Sequence, residues 1–137
     1  MDFDGASALA DGRGATLRWR TAREADTLGF DVLRSVDGEL VKVNDGLIAG
    51  SALAFGGVPV QAGYAYGWVD PMGRAGDQYW IEEVEISGRR NLHGPLVAEA
   101  GQWDEHPRMS ATVSELARQS SRERGTSRVV RSEEPEP

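Results

Sequence analysis

Cysteine is absent from the 137 residues, so disulfides, thiolate catalysis and Cys-based zinc sites are all excluded. Lysine occurs once, as Lys42, so the remaining fourteen of the fifteen basic residues are arginine. Histidine occurs twice, as His93 and His106, and no Ser or Asp falls at a spacing that would build a triad around either. No apolar run approaches the roughly 18 residues that a membrane-spanning helix needs. The acidic start Met1-Asp-Phe-Asp-Gly5 has no apolar core of the kind a secretory leader requires. The expectation is a soluble chain with no membrane insertion. A net charge of −7 argues against nucleic acid as a partner, because non-specific binding needs a surplus of Lys and Arg to displace counterions.

What is present is a series of short alternating segments punctuated by Gly and Asp. Leu17, Trp19 and Thr21 alternate with Arg18 and Arg20, the pattern of a half-buried strand with its charges outward. Phe30 and Val32 alternate with Asp31 and Leu33 in the next strand. Asp37-Gly38 is a tight-turn dipeptide leading into Leu40-Val-Lys-Val43, so these two strands form a hairpin. Asn44-Asp-Gly46 breaks the chain, and the Ala- and Gly-rich stretch 47–63 is either a weak edge strand or a long loop. Tyr64, Tyr66 and Trp68 share one face of a further strand, which Asp70-Pro71 stops. After the loop Met72–Asp77 comes the strongest strand, Tyr79 to Ile86. Ser87-Gly88 turns it into a last strand around Asn91–Val97, and Pro95 confines that strand to an edge or a strand end.

The strongest strand carries a conflict of register. Tyr79 and Ile81 share one parity, Val84 and Ile86 the other, and a regular pleat cannot send all four into one core. A β-bulge near Glu82-Glu83 would keep Val84 inward. The alternative is a strand apolar on both faces, with Trp80, Val84 and Ile86 covering a second surface.

The composition divides the chain in two. Residues 1–98 hold nearly every large apolar residue and form the expected β-sandwich. Residues 99–137 are polar, low in apolar content and too short for a core of their own, which suggests a mostly disordered tail or linker. From Gly101 onward six Arg face seven acids, a net charge of −1, so the first hundred residues carry −6. Thr112-Val-Ser-Glu115 has the form of a capping box, so a short helix over 112–123 is expected within that tail.

Several motifs resolve into ordinary structure. Gly12-Arg-Gly14 and Gly56-Gly57 are turn glycines, because neither follows a strand and opens a helix as a phosphate loop does. Glu82, Glu83 and Glu85 lie close together, with Asp70 and Asp77 on the loop before them; carboxylates adjacent on one strand alternate faces, so most of these point to different sides rather than across a cleft as glycosidase carboxylates must. No catalytic residue and no cofactor is assigned. Asp70 and Asp77 are the weak candidates for a calcium site, with oxygen ligands but no recognised loop pattern. The aromatics carry the functional potential, since Trp and Tyr stack on sugars and anchor interfaces. Trp80, of opposite parity to Tyr79, is the leading candidate for an exposed anchor; the face shared by Tyr64, Tyr66 and Trp68 reads first as core, with Trp68 and Tyr66 as the alternative contacts for a partner or a glycan.

Four segments occur in a recognisable order: Trp19-Arg-Thr-Ala-Arg-Glu24, Gly29-Phe-Asp-Val-Leu-Arg-Ser-Val-Asp-Gly38, Tyr66-Gly-Trp-Val-Asp70 and Gly76-Asp-Gln-Tyr-Trp-Ile-Glu-Glu-Val-Glu-Ile-Ser-Gly88. Together they resemble a bacterial version of the fibronectin type III domain over roughly residues 1–98. Glu85 departs from the Asp frequent in that family, and Ala25-Asp-Thr-Leu28 from a loop that usually carries Asn. The resemblance implies an all-β, immunoglobulin-like sandwich of about seven strands. It implies that Trp19 is the core Trp of the second strand and that Tyr79 is a corner Tyr whose hydroxyl bonds nearby backbone. It also implies a module appended to a large exported bacterial protein, such as a gingipain-like peptidase, at the cell surface or outside the cell. The expected role is a non-catalytic spacer or protein-interaction module contacting neighbouring domains or another protein. The alternative is a carbohydrate-binding module using exposed aromatics.

Overall fold

A computed structural model of the chain describes residues 2–24, 26–50, 64–104 and 109–118. Among them are nine strands: β1 (Asp2–Asp11), β2 (Gly14–Arg23), β3 (Thr27–Val36), β4 (Glu39–Lys42), β5 (Ile48–Ala49), β6 (Tyr64–Asp70), β7 (Gln78–Glu85), β8 (Arg90–Val97) and β9 (Glu99–Ala100). One helical turn and a half, α1, covers 113–118. The strands form two sheets packed as a sandwich, ordered β6-β2-β1-β9 and β4-β3-β7-β8, with β5 also pairing β3. No helix among the described residues is long and apolar enough to cross a membrane.

The alternation seen in the sequence decides which faces meet. Leu17, Trp19 and Thr21 of β2 are buried, whereas Arg18 and Arg20 are exposed. Phe30 and Val32 of β3 and Tyr79 and Ile81 of β7 close the core from the other sheet, all at 0% exposure. Trp19 lies edge-on to Phe30 with ring centroids 5.6 Å apart and parallel to Tyr66 at 5.7 Å. Each such fully buried side chain contributes on the order of 1.5–3 kcal/mol over an exposed one. The Asp37-Gly38 turn has both residues at positive φ, 52° and 86°, which matches the twist of a two-residue hairpin between Val36 and Glu39.

β1 has no counterpart in the sequence reading. Its residues are mostly Ala, Ser, Gly and Asp, poor strand formers by propensity. Tertiary fit explains it: Ala6, Ala8 and Ala10 lie opposite Trp19, Leu17 and Ala15 of β2. Small side chains there leave room for the large ones beside them.

The bulge expected at Glu82-Glu83 is not in β7. Residues Tyr79 to Val84 pair without interruption with Arg34 back to Gly29, and the register shift falls between Thr27 and Gly29, with Leu28 the extra residue on β3. Val84 therefore has the parity of Trp80 and faces away from Tyr79. It is nonetheless only 6% exposed. On that same outer side Leu47 lies against Gly29, the cross-strand partner of Val84. Inward at that level is Glu83, not Val84. Ile86 lies beyond the end of β7 and is 59% exposed.

The chain does not leave the sandwich at residue 98. β9 runs parallel to β1, pairing Leu9 with Glu99, and the Gly101 amide donates to the Ala10 carbonyl. Trp103 then lies under the Arg18 guanidinium, 4.6 Å from the ring centre, on the outer face of the same sheet. Residues 110–113 run along the opposite edge, where Ser110 N–H donates to Gly67 O, Ala49 N–H to Ala111 O and Val113 N–H to Leu47 O. This strap ties β6 of one sheet to β5 beside the other. The capping box takes shape at its end: Thr112 N–H donates to Glu115 Oε1 and Glu115 N–H to Thr112 Oγ1. Of the expected helix 112–123, residues 119–123 lie outside the described residues, as do the 51–63 part of the expected loop, Gly56-Gly57 and His106.

Candidate interaction face around Trp80

The acidic residues that could have offered chemistry hold structural donors instead. Asp70 is 2% exposed. Its Oδ2 accepts the Tyr79 hydroxyl at 2.7 Å and the Arg34 guanidinium, while Oδ1 accepts Met72 N–H at 3.1 Å. Arg34 is on β3 and Asp70 on β6, so this node joins the two sheets. Asp77 accepts Arg74 N–H and closes its own loop. The pair named as weak calcium ligands is thus divided between two separate jobs. Among the described residues no group of three or more His, Asp or Glu could hold a metal ion.

At the other end Glu24 receives both the Thr21 and the Tyr66 hydroxyls. Glu83 accepts Thr27 Oγ1–H at 2.7 Å and Asn91 Nδ2–H at 2.8 Å, and Glu85 accepts the same Asn91 amide. Burial, followed by the carboxylate bond, pushes the Tyr66 and Tyr79 phenols well above their ordinary range, so both stay protonated as donors. The corner tyrosine inferred by resemblance is buried, as expected, but its acceptor is the Asp70 side chain rather than backbone. His93 stacks on Phe3 with ring centres 4.4 Å apart, joining β8 to β1.

Of the three aromatics proposed as contacts, Tyr66 is removed from the surface. It is 2% exposed and wedged between Trp19 and Phe30. Its parity matches Trp19 across the β2–β6 pair, so the run Tyr64, Tyr66, Trp68 faces the core, with Tyr64 emerging at the end of the strand. Trp68 is half-buried and packs on the core from the edge strand β6.

Trp80 stands on the outer face of the β4-β3-β7-β8 sheet. It is half-buried and lies opposite Leu33 of β3. Gly94 on β8 lies so close that a Cβ built there would stand 2.7 Å from the indole Cδ1. The register places Leu40, Leu92 and Val97 on the same face, at 42%, 49% and 51% exposure. Lys42 stands directly opposite Leu33, so Leu40, Leu92 and Val97 flank the Leu33–Trp80 pair diagonally, an apolar patch on four strands with Trp80 at its middle. Beside it runs a charged ladder in which Arg90 bridges Glu82 at 2.8 Å and Asp31 at 3.4 Å. Asn44 fixes this side of the sheet: its Oδ1 accepts Val32 N–H, and its Nδ2 donates to Asp31 and to Gly46 O.

The sequence reading did not find that residues 110–118, together with Trp68, line recesses at the β6 edge. The available signal was the capping box, which marks a helix but says nothing of where it docks. Comparisons with protein-family models, with curated proteins and with solved structures find no match.

Proposed function

We propose that this chain is a non-catalytic, fibronectin type III-like interaction module of a larger exported bacterial protein, and that it meets a protein partner through the sheet face centred on Trp80. The observation that carries the reading is the apolar patch of Leu40, Leu33, Trp80, Leu92 and Val97, rimmed by Arg90, Glu82 and Asp31. An apolar centre holding a Trp within a charged rim is the usual anatomy of a protein contact. The fibronectin-like part of the reading is supported by the layout of β6-β2-β1 against β4-β3-β7-β8, to which the two-residue strands β9 and β5 add, and by the burial of Trp19 and Tyr79. The non-catalytic part is supported by the acids described above, whose oxygens are engaged by structural donors.

The test is a crosslinked capture from the exported fraction of a bacterial culture, with the recovered protein purified and titrated against the full chain. A partner bound through this face loses at least tenfold in affinity to a Trp80→Asp or Leu92→Asp variant whose circular dichroism matches the parent. A partner indifferent to both substitutions would overturn the assignment of the face.

A further inference from the structure

The carbohydrate reading finds its better site at Trp68 rather than Trp80, because the Trp80 ring is flanked by Leu33 and closely approached by Gly94. The strap builds the opposite wall. Ser110 holds β6 through two bonds, its N–H to Gly67 O at 3.0 Å and Gly67 N–H to its Oγ at 3.1 Å. Thr112 pairs with Ile48 on the other side. Between strap and sandwich lie two recesses, of about 410 Å³ and 250 Å³. The larger is lined by Trp68, Asp45, Ser114, Glu115 and Arg118, the smaller by Trp68, Met109 and Glu115 among others. Trp68 and Glu115 line both, so the recesses adjoin along the groove between strap and sandwich.

The lining selects the ligand class. A purely apolar ligand would strip water from Asp45, Glu115 and Arg118 without replacing their hydrogen bonds, which is costly. A phosphate or sulfate would meet two carboxylates against one guanidinium. A neutral molecule with an apolar ring face and many hydroxyls satisfies all of them: it stacks on the indole and exchanges hydrogen bonds with Ser114, Asp45, Glu115 and Arg118. We propose that this groove binds a neutral oligosaccharide, with a sugar ring stacked on the part of the Trp68 indole that the core leaves uncovered. The proposal rests on the carbohydrate reading and is independent of the protein-contact face at Trp80.

The experiment titrates the full chain, labelled with ¹⁵N, with cellohexaose, chitohexaose, mannohexaose and, as an acidic control, hexagalacturonate. The expected result is that at least one neutral hexaose shifts the Trp68 indole N–H and the amides of Ser110, Ser114 and Glu115. Trp68→Ala then weakens binding at least tenfold, and Trp80→Ala leaves it within twofold. Because Trp68 also packs on the core, Asp45→Ala and Arg118→Ala provide surface variants, each expected to weaken binding threefold or more. The proposal is overturned if no neutral hexaose moves the Trp68 indole, if only hexagalacturonate binds, or if binding depends on Trp80 and not on Trp68. A failure of the Trp80 protein contact would leave these titrations unchanged.

Discussion

Replacing Tyr79 by Phe removes one oxygen from a site where both sheets meet. The ring is fully buried, and its hydroxyl donates to Asp70 Oδ2 at 2.7 Å. A hydrogen bond to a charged acceptor is worth about 1.5–3 kcal/mol. Asp70 keeps Arg34 and the Met72 amide, so its charge is not stranded and the upper end of that range is not reached. The expected loss is about 2 kcal/mol, or a fall in Tm of roughly 6–10 °C for a domain of this size. Gly73 supplies an internal check. A Cβ at Gly73 would stand 2.1 Å from the Tyr79 hydroxyl and 2.5 Å from Ala15 Cβ. Gly73→Ala alone is therefore expected to cost about 1–3 kcal/mol by overpacking. In the Tyr79→Phe background it should cost about 1 kcal/mol less, since the nearer obstacle is gone while Ala15 remains. The pH dependence has a definite sign. The folded phenol pKa is raised by burial and then by the Asp70 bond, so its stabilisation is full below the unfolded value of about 10 and declines as pH rises toward the folded one. Urea unfolding at pH 7 and pH 10.5 reads both effects, the variant losing less than the parent on going to pH 10.5. A loss below about 0.5 kcal/mol at pH 7, or additive Gly73 and Tyr79 effects, would refute the assignment of this node.

Three further outcomes are expected. Asn44→Ala should cost about 2–3 kcal/mol in urea unfolding, because it removes three hydrogen bonds at a buried position and leaves Val32 N–H without its acceptor; a loss under 1 kcal/mol would contradict the pinning role. Glu115 has its pKa lowered by the Thr112 backbone bond first and the Thr112 hydroxyl second, so the strap's cap is intact above the ordinary carboxylate range and fails as pH falls through the lowered value. Protection of the Thr112 and Val113 amides, relative to their intrinsic exchange, should accordingly fall in the parent as pH drops below the ordinary carboxylate range, and already be low at pH 6 in Glu115→Ala. Gly94→Ala should displace the indole of Trp80 and change its fluorescence while the core rings Trp19 and Tyr66 stay in place; unchanged Trp80 emission would speak against that close approach.

The sandwich was readable where alternation and burial agree. β2 and the inner half of β3 show their faces directly, since Arg18 and Arg20 punctuate Leu17, Trp19 and Thr21. β1 was not readable, because an alanine row becomes a strand only when Trp19 and Leu17 stand beside it. The register conflict in β7 was visible in the sequence, but its resolution was not. Parity within one strand cannot reveal that the extra residue lies across the ladder at Leu28, or that Leu47 lies on the outer side beside Gly29. That Trp80 lies on the outer face followed from parity with Tyr79, whereas its half-burial did not. Tyr66 was readable both as core and as a contact, because alternation identifies a shared face without saying whether that face is the inner one; its burial decides for the core. The strap escaped notice for another reason: it is held mainly by main-chain bonds, and these leave little trace in side-chain composition.

The parallel pairing of β9 with β1 has a kinetic consequence. The hairpins β1–β2, β3–β4 and β7–β8 each close a short loop, whereas Leu9 and Glu99 are ninety positions apart in sequence. Closure entropy grows as the logarithm of loop length, so joining these ends from an unfolded chain costs about 3 kcal/mol more than closing a four-residue hairpin. Little rewards that closure: the pairs Leu9 with Glu99 and Ala10 with Ala100, and the Gly101 bond to Ala10. β9 should therefore zip on after the rate-limiting step, once the two sheets have already brought its neighbours together. Substitutions there, such as Ala100→Gly, are expected to speed unfolding while leaving the refolding limb of the chevron unmoved.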